Sequence, residues 1–409
     1  MKCRFCGNEV TDVVLDLVNA PPSNAYLKNE QLNKSETFYP LKVMVCPHCW
    51  FVQIDEHASC ADIFNDDYLY FSSYSSSWVE HARKYVDMIT HNLSLTKQSH
   101  VMEIASNDGY LLQFFVKKDI PCIGIEPSIS TVLAAKQKGV ESIPEFFGEK
   151  LALDIVSTRE KQDLIIGNNV LAHVPDINDF VSGLKIALSS YGTITMEFPH
   201  LLNLLKFNQF DTIYHEHYSY LSLLSVQKIF MAHDLIIYDV EELPTHGGSL
   251  RIYACHRDAG FGVTTAVSNI LNQELEFGLA TLTAYSNFQE NVERIRRKFL
   301  LFLLKTQKEG KVVVGYGAAA KGNTLLNYCG IKGNQIIKTV TDASPHKQGR
   351  FLPGSHIPIS SPDIIKTLKP DFLIIFPWNL KDEIIEQNKY IRDWGGKFVT
   401  VIPNLEVID

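Results

Sequence analysis

The chain has 409 residues, of which 45% are hydrophobic and 21% are charged, a composition typical of a globular protein with two or three domains. Acidic residues number 46 and basic residues 38, and the net charge of -8 argues against a dedicated nucleic-acid-binding protein, because phosphate neutralisation needs a basic surface. No apolar run approaches the roughly 18 residues of a membrane span, and no apolar stretch of a signal peptide follows the N-terminus. We therefore expect a cytoplasmic protein that binds neither nucleic acid nor membrane.

Two cysteine pairs characterise the first 60 residues, Cys3-x-x-Cys6 and Cys46-x-x-Cys49. Cytoplasmic cysteines are thiols or metal ligands more often than disulfides. Two such pairs supply four thiolates for a tetrahedral zinc ion, and four protein ligands leave no open position, so this zinc would be structural. The loop between the pairs is longer than in the common zinc motif, and four free thiols are the alternative.

Apolar strands alternate with helical stretches from about residue 75 to 260, which is typical of a parallel sheet covered by helices on both faces. The predicted parallel strands cover residues 101–105, 122–126, 164–167 and 193–197. Two more strands, 235–240 and 250–254, are separated by a Gly-Gly turn and no helix. They predict an antiparallel end to this sheet.

The turn after the first of these strands has the form of a nucleotide-binding turn. Acidic Glu103 lies late in the strand, Gly109 begins a helix, and Glu126 ends the next strand, where a carboxylate can accept both ribose hydroxyls of an adenosyl group. The turn has neither G-x-G-x-x-G nor a P-loop lysine, which favours S-adenosylmethionine over a dinucleotide; a plain strand–helix turn is the alternative. The residues expected to hold this cofactor are Glu103, Ala105, Asn107, Gly109, Tyr110, Glu126, Pro127, Asn168 and Asn169.

The densest cluster of titratable side chains is Tyr214-His-Glu-His217. A histidine that titrates near neutrality, with a phenol or carboxylate to fix its tautomer, is suited to act as a general base. A metal site and an exposed polar loop are the alternatives, although the spacing is not the H-E-x-x-H of a helical zinc site.

A helical stretch at about 272–308 leads to a second, smaller α/β unit. Its predicted strands cover 311–315, 337–341, 371–376 and 397–402, and one of its helices covers 380–393. The glycine-rich turn 315–322 follows the first strand and opens a helix. Its amides, with Lys321 beside them, predict an anion site suited to a pyrophosphate, over which the basic loop 345–356 would close. A solvated charged loop is the alternative.

His246 and Arg251 flank the Gly-Gly turn between the two antiparallel strands. A tight hairpin explains the glycines but not these two side chains, which we interpret as substrate contacts. Tyr68, Tyr70 and Tyr74 lie near the junction of the first two regions, where simple apolar packing also explains them.

Four sequence motifs, taken in their order along the chain, resemble those of a known family. They are the cysteine pairs, the Glu-Ile-Ala-Ser-Asn-Asp-Gly turn at 103–109, the Tyr-His-Glu-His segment at 214–217, and the Gly-Tyr-Gly-Ala-Ala-Ala-Lys-Gly turn at 315–322 with its Lys-Gln-Gly-Arg loop. Over essentially the whole chain the sequence resembles the S-adenosylmethionine-dependent sugar C-methyltransferases, which act at C-3 of nucleotide-linked 4-keto deoxysugars in branched-sugar pathways.

The resemblance implies an α/β protein of three parts. They are a zinc-binding domain at 1–66, a class I methyltransferase domain with a Rossmann-like fold at 67–265, and a second Rossmann-like domain at 266–409 that helps to hold the nucleotide sugar. The expected cofactors are S-adenosylmethionine and a structural Zn²⁺. The expected partner is a 4-keto deoxysugar linked to dTDP or another nucleotide, and the expected state is a monomer or weak oligomer.

The resemblance also implies roles for individual residues. His217 is the base that removes the C-3 proton to form an enolate, Tyr214 and Glu216 match further active-site positions, and His173 looks like another active-site histidine. A tyrosine near the zinc-binding domain should also contribute to the active site, and Tyr68 is the first choice ahead of Tyr70. The residues expected to contact the sugar nucleotide are Tyr70, His246, Arg251, Tyr316, Gly317, Lys321, Asn323, Arg350 and His356.

Two other functions remain open from the sequence. A nicotinamide-dependent nucleotide-sugar oxidoreductase would use the turn at 315–322, and a non-catalytic zinc or sugar-nucleotide scaffold would need no base. The titratable cluster at 214–217 counts against the scaffold.

Overall fold

The computed structural model describes residues 1–57 and 71–409, and three β-sheets organise them. The first sheet begins with strands that the sequence did not predict, which are β1 (Asp12–Ala20), β2 (Tyr39–Val45) and β3 (Val52–Ile54). These strands pair antiparallel in chain order. Among the described residues, no helix combines the length and the apolar character needed to cross a membrane.

The central region alternates strands and helices, as its periodicity predicts. Its strands are β4 (Val101–Ile104), β5 (Cys122–Ile125), β6 (Ser142–Ile143), β7 (Gln162–Asn168), β8 (Leu188–Pro199), β9 (Ser219–Tyr220), β10 (Leu235–Leu243) and β11 (Ser249–His256). Its helices are α1 (Ser76–Asn92), α2 (Gln113–Val116), α3 (Ile129–Gln137), α4 (Glu149–Thr158), α5 (Ile177–Ala187), α6 (Leu201–Lys206) and α7 (Leu223–Ala232).

The central sheet has seven strands in the order β10-β11-β8-β7-β4-β5-β6. Strand β11 runs antiparallel to both of its neighbours, and the other pairs are parallel. Leu164, Ile165 and Ile166 of β7 are all fully buried, because helices cover both faces of the sheet. This topology is the class I methyltransferase fold that the resemblance implies.

Strand β9 leaves the central region and completes the first sheet. It pairs antiparallel with β3, with Tyr220 opposite Val52 and Ser219 opposite Gln53. The segment just before β9 is the Tyr-His-Glu-His cluster at 214–217. The N-terminal sheet therefore fixes one end of the candidate catalytic segment.

The C-terminal region forms the second α/β unit. Its helices are α8 (Thr265–Phe277), α9 (Thr283–Ser286), α10 (Phe288–Lys308), α11 (Ala320–Tyr328), α12 (Ile364–Leu368) and α13 (Lys381–Gln387). Its strands are β12 (Val313–Tyr316), β13 (Ile337–Thr341), β14 (Ile359–Ser360), β15 (Phe372–Ile375), β16 (Lys397–Thr400) and β17 (Glu406–Ile408). They form one sheet in the order β14-β13-β12-β15-β16-β17, in which β17 alone is antiparallel to its neighbour.

Two predicted helices are shorter than the sequence pattern indicated. The stretch at 272–308 is interrupted because Gly278 adopts a left-handed conformation, with φ of 95°, and ends α8. The stretch at 380–393 is α13 followed by a separate 3₁₀ segment, Lys389–Trp394.

The regions share their hydrophobic cores. Leu15 of β1 and Phe299 of α10 belong to the same buried cluster as Ile374 of the C-terminal sheet. Cys3, Cys46, Cys49 and Phe51 are buried in the cluster that covers one face of the central sheet, and the partly buried Cys6 packs against it. This sharing positions side chains from all three regions around one cavity.

Candidate active site and zinc site

The sulfur atoms of Cys3, Cys6, Cys46 and Cys49 lie within 4.8 Å of one another. The Sγ atoms of Cys3 and Cys49 are 3.5 Å apart, and those of Cys6 and Cys46 are 3.6 Å apart. Four thiolates around zinc at about 2.3 Å have sulfur–sulfur separations of about 3.8 Å. The cluster therefore fits a tetrahedral zinc ion, and the other described cysteines lie outside it.

The two cysteine turns have the same backbone geometry. The amide of Gly7 donates to the carbonyl of Cys3, and the amide of Trp50 donates to the carbonyl of Cys46. Gly7 and Trp50 both have positive φ angles, of 73° and 65°. Each turn thus directs its pair of sulfurs towards the other pair.

A cavity of about 540 Å³ lies beside the carboxyl ends of the central strands and extends to the start of α11. Its walls include Asn24 from the N-terminal region, Glu126 and His217 from the central region, and Lys321 from the C-terminal region. Such a cavity at a domain junction is the usual form of a small-molecule site.

Residues 214–217 form a tight turn, in which the amide of His217 donates to the carbonyl of Tyr214. The turn brings the first and last side chains together, so that the Tyr214 hydroxyl lies 2.8 Å from His217 Nε2. His217 Nδ1 lies 3.0 Å from the Thr212 carbonyl oxygen, which can only accept a hydrogen bond. Nδ1 therefore carries the proton, and the Nε2 lone pair accepts the hydrogen bond from the Tyr214 hydroxyl.

His217 is held in its neutral form. Burial, together with the nearby His173, keeps the pKa of His217 well below its usual value. The two imidazole rings meet edge to face, with centres 4.6 Å apart, and burial lowers the pKa of His173 to about 4. Both histidines line the cavity, and a neutral imidazole is the form that can accept a proton.

Glu216 lines the cavity but is nearly fully buried. Both of its carboxylate oxygens accept hydrogen bonds from Asn24 Nδ2, at 2.7 and 2.9 Å. Burial raises the pKa of Glu216 to about 7, against the effect of these hydrogen bonds. The N-terminal region therefore holds this carboxylate directly.

His215 points away from the cavity. Its Nε2 lies 3.1 Å from the carbonyl oxygen of Pro40, and its ring packs edge-on against Tyr39 of β2. The tight turn thus separates the two histidines that are two residues apart in sequence.

Glu126 lies in the part of the cavity wall that the central region forms. Its carboxylate accepts hydrogen bonds from the amides of Asn107 and Ser128, each at 3.0 Å. Both side-chain polar atoms of Asn168 are buried at the cavity wall and lack hydrogen-bond partners among the described residues. The predicted cofactor-binding residues that line the cavity are Ala105, Asn107, Tyr110, Glu126, Pro127, Asn168 and Asn169.

Two predicted cofactor-binding residues do not line the cavity. Glu103 is fully buried, because its position in β4 directs it to the face opposite that of Ile104, which lines the cavity. Gly109, with φ of 73°, packs under the turn, where an added Cβ would lie 3.1 Å from Val140.

His246 lines the cavity, and its contact with substrate stays a prediction. It has a left-handed backbone, with φ of 54°, and its Nε2 lies 3.0 Å from the side-chain nitrogen of Asn169. The neighbouring Gly247 packs so closely on Trp378 that an added Cβ would lie 2.3 Å from the indole ring. The turn therefore needs its glycine for this contact with the C-terminal region.

Lys321 lines the part of the cavity that the C-terminal region forms. Its ammonium donates to the side-chain oxygen of Asn379 at 2.7 Å and lies 4.3 Å from the centre of the Trp378 ring. The indole nitrogen of Trp378 in turn donates to Asp211 at 2.7 Å. These contacts fix the direction of the ammonium group.

The glycine-rich turn at 315–322 differs from the predicted pyrophosphate site. The amide of Ala318 donates to the Asp342 carboxylate at 2.9 Å, and the hydroxyl of Tyr26 donates to the Ala318 carbonyl at 2.6 Å. Lys347, from the basic loop, lies 3.5 Å from the same carboxylate. The Asp342 carboxylate thus takes up the Ala318 amide that the prediction assigned to a phosphate, whereas Ala319, Ala320 and Lys321 line the cavity.

Several predicted substrate contacts lie away from the cavity. Arg251 pairs with Glu197 across neighbouring strands, at 2.6 Å, and is nearly fully buried. His356 lies 3.0 Å from Glu36. The remaining residues of this group that do not line the cavity are Tyr316, Gly317, Asn323 and Arg350. Tyr68 and Tyr70 lie outside the described residues.

The sequence prediction missed several residues of the site, including Asn24, Trp78, Thr212 and Asn379. Asn24 holds Glu216, Trp78 packs edge-on against His246, and Asn379 holds Lys321. None of them belongs to a motif with chemistry of its own, and only the tertiary contacts identify them.

Comparisons with known proteins agree with this architecture. A family model described as the C-methyltransferase C-terminal domain matches residues 244–403, and a model of a zinc-binding domain matches residues 3–64. The C-methyltransferase NovU of Streptomyces niveus is 35% identical over 407 residues, which cover 100% of this chain and 96% of that protein.

Other similarities cover only part of the chain. A ubiquinone biosynthesis O-methyltransferase of Rhodopseudomonas palustris is 24% identical over 105 residues, or 26% of this chain and 42% of that protein. The structure of magnesium protoporphyrin IX methyltransferase from Synechocystis with bound SAM aligns with a TM-score of 0.33 and 17% identity, covering 44% of this chain and 81% of that one.

Proposed function

Since the chain belongs to the C-methyltransferase family, we propose that it transfers a methyl group from S-adenosylmethionine to C-3 of a nucleotide-linked 4-keto deoxysugar. The observation that carries the proposal is the hydrogen-bonded pair of Tyr214 and His217 in the cavity wall. A C–H bond next to a ketone is weakly acidic. Methylation at that carbon therefore needs a base for the proton and a donor for the ketone oxygen.

The Tyr214–His217 pair offers both groups side by side. A bound ketone would accept the Tyr214 hydrogen bond at its oxygen and so release His217 Nε2, which takes the proton from the neighbouring carbon. The electron pair of that C–H bond moves into a carbon–carbon double bond, and the ketone oxygen becomes the negatively charged enolate oxygen. The hydrogen bond from Nδ1 to Thr212 keeps His217 in the tautomer that this step requires.

The residues at the other end of the cavity fit an adenosyl group. When bound, S-adenosylmethionine supplies the methyl carbon for the new carbon–carbon bond, while the electrons of its carbon–sulfur bond leave with sulfur. We propose that Glu126 holds the ribose hydroxyls and that Asn168, whose polar atoms lack partners among the described residues, contacts the same molecule. Binding both substrates in one cavity supplies the proximity that the transfer needs.

Replacing Glu126 should weaken cofactor binding. Loss of two hydrogen bonds to a charged group, at about 1.5–3 kcal/mol each, should raise the dissociation constant of S-adenosylhomocysteine in Glu126→Ala by about 10²-fold or more. Titration calorimetry measures this constant directly. Glu141→Ala is the control, because Glu141 pairs with Arg159 at the surface and should leave the constant unchanged. Wild-type affinity in Glu126→Ala with intact folding would remove Glu126 from the site.

Replacing Tyr214 by phenylalanine removes the donor to the ketone oxygen and keeps the ring beside His217. Loss of one such donor typically lowers turnover by about 10²–10³-fold. We expect Tyr214→Phe to lose turnover by about this factor, with little change in the affinity for either ligand. Steady-state kinetics at saturating substrate provide the test, and a wild-type turnover number would assign the donor role to another group.

The zinc-binding region takes part in the site as well as in folding. We propose that Cys3, Cys6, Cys46 and Cys49 hold one structural Zn²⁺ and that the three regions divide at about residues 66 and 265. Asn24 lies between the cysteine pairs and holds Glu216, so the first region would orient an active-site carboxylate.

The rival oxidoreductase would need an open turn at 315–322 for its dinucleotide. Asp342 and Tyr26 already bond to this turn, which favours the methyltransferase. Mass spectrometry of the ligand that co-purifies with the protein distinguishes the two. We expect S-adenosylhomocysteine or S-adenosylmethionine, whereas retained NAD would favour the oxidoreductase.

A methyl-transfer screen tests the proposal itself. The protein is incubated with methyl-labelled S-adenosylmethionine and a panel of 4-keto nucleotide sugars, with the corresponding 4-hydroxy sugars as controls. We expect label in at least one keto sugar and in none of the controls. Equal labelling of the 4-hydroxy sugars would overturn the enolate mechanism, since they have no ketone to acidify the C–H bond.

A further inference from the structure

Lys321 is a half-buried cation that lines the cavity and has no ion-pair partner in the part of the chain that the structure describes. The neutral side chain of Asn379 accepts one hydrogen bond from its ammonium, and the Trp378 ring lies beneath it. Burial lowers the pKa of Lys321 to about 8, against the effect of Asp211, so the group remains largely charged at pH 7. An ammonium has three donors, and the neutral partners leave its charge available to a ligand in the cavity.

Contacts on the cavity wall fix the position of this ammonium, and His217 lines the same cavity. Asp211 fixes the Trp378 ring through the indole nitrogen, and Gly247 packs against the same ring. Lys321, His217 and His246 all line this cavity, and the charge of Lys321 contributes to lowering the pKa of both histidines.

Lys347 also lines the cavity, but its partners differ from those of Lys321. It donates to the Ala318 carbonyl at 2.9 Å and lies 3.5 Å from the Asp342 carboxylate, so its charge is already balanced. The amide of Ala318, in the turn before α11, is likewise bonded to Asp342. A diphosphate at this turn would therefore face a carboxylate, which leaves Lys321 available for a different anion.

We propose that Lys321 is a catalytic residue whose ammonium binds the substrate oxygen that becomes negatively charged when His217 removes the neighbouring proton. Tyr214 and Lys321 would then donate to the same oxygen from two sides. The proton goes to His217 Nε2, and the C–H electron pair gives the carbon–carbon double bond and the enolate oxygen. A fixed cation at that oxygen stabilises charge that is absent from the ground state, which raises turnover more than affinity. The inference rests on the proposed function.

Lys321→Gln tests the proposal, with Lys305→Gln, a change at an exposed helix position, as the control. Turnover at saturating 4-keto nucleotide sugar should fall by about 10²–10³-fold in Lys321→Gln. Deuterium exchange at the carbon next to the ketone, followed with S-adenosylhomocysteine bound, should slow by a similar factor. The dissociation constant of dTDP should change by less than about threefold.

The outcomes separate the possible roles. Unchanged turnover in a folded Lys321→Gln overturns the proposal. A large rise in the dissociation constant of dTDP with normal turnover at saturation assigns Lys321 to the diphosphate and also overturns it. Absence of methyl transfer in the wild-type protein, by contrast, would be a failure of the proposed function and would be seen before any variant is made.

Asp211→Asn is a second variant for the case in which Lys321→Gln does not fold. The amide oxygen can still accept the Trp378 hydrogen bond, but the negative charge is lost. Because Asp211 raises the pKa of Lys321, its removal should move the alkaline limb of the turnover profile to lower pH. His217 and His246 face the same space, and both are neutral in this pH range. An unmoved alkaline limb would contradict the role of Lys321.

Discussion

His217→Ala should bind both ligands and lose most of its turnover, by about 10²–10⁴-fold, because that is the usual effect of deleting a positioned base. The neutral ring presents Nε2 beside the Tyr214 hydroxyl, while Nδ1 is bonded to Thr212, so no other ring atom can take the substrate proton. The exchange of the substrate proton with deuterated solvent should fall together with turnover. Steady-state kinetics and NMR exchange measurements on the purified variant give both quantities.

His215→Ala is the matched control for this experiment. His215 faces Pro40 and Tyr39 in the N-terminal sheet, so its removal should lower stability modestly and leave turnover within a few fold of wild type. If His215→Ala abolishes turnover and His217→Ala does not, the base is the other histidine. If neither variant affects turnover, His173, whose ring meets that of His217 at 4.6 Å, is the next candidate.

Cys3→Ser should reduce folded yield far more than it changes the chemistry of the protein that does fold. Binding of a structural zinc ion contributes on the order of 10 kcal/mol to folding, and a lost thiolate removes much of it. Elemental analysis should find about one zinc per chain in the wild-type protein and markedly less in the variant. A chelator should lower the thermal midpoint of the wild-type protein towards that of Cys3→Ser.

The zinc prediction has its own control. Cys122→Ser changes a cysteine that lies outside the four-sulfur cluster, in β5, and should retain the metal and most of the stability. Freshly purified, unchelated wild-type protein without zinc would contradict the prediction. Because Arg4, next to Cys3, donates to the Pro175 carbonyl near His173, metal loss should also loosen the active-site wall.

Local sequence patterns predicted the features that depend on neighbouring residues. The central strands, the reversed strand β11 and the two cysteine turns follow from periodicity and spacing. The Tyr214–His217 contact is also local, because a tight turn brings residues three apart into hydrogen-bond distance.

The features of the site that the sequence did not predict depend on contacts between distant parts of the chain. Asn24 and Glu216 are 192 positions apart, and no pattern in either segment indicates their contact. Arg251 was predicted to bind substrate, but its partner across the strands, Glu197, holds it in a buried ion pair. Asp342 occupies the turn that was predicted to bind pyrophosphate, although neither segment alone indicates this.

The position and bonding of the transferred methyl group test the central claim most directly. The protein is incubated with ¹³C-methyl S-adenosylmethionine and the best 4-keto nucleotide sugar from the screen, and the product is analysed by NMR. The proposal predicts a methyl carbon bonded to C-3, with loss of the proton from that carbon. A methyl at C-5, the other carbon next to the ketone, would keep the enolate chemistry but contradict the proposed position. A methyl on oxygen would contradict the proposal as a whole.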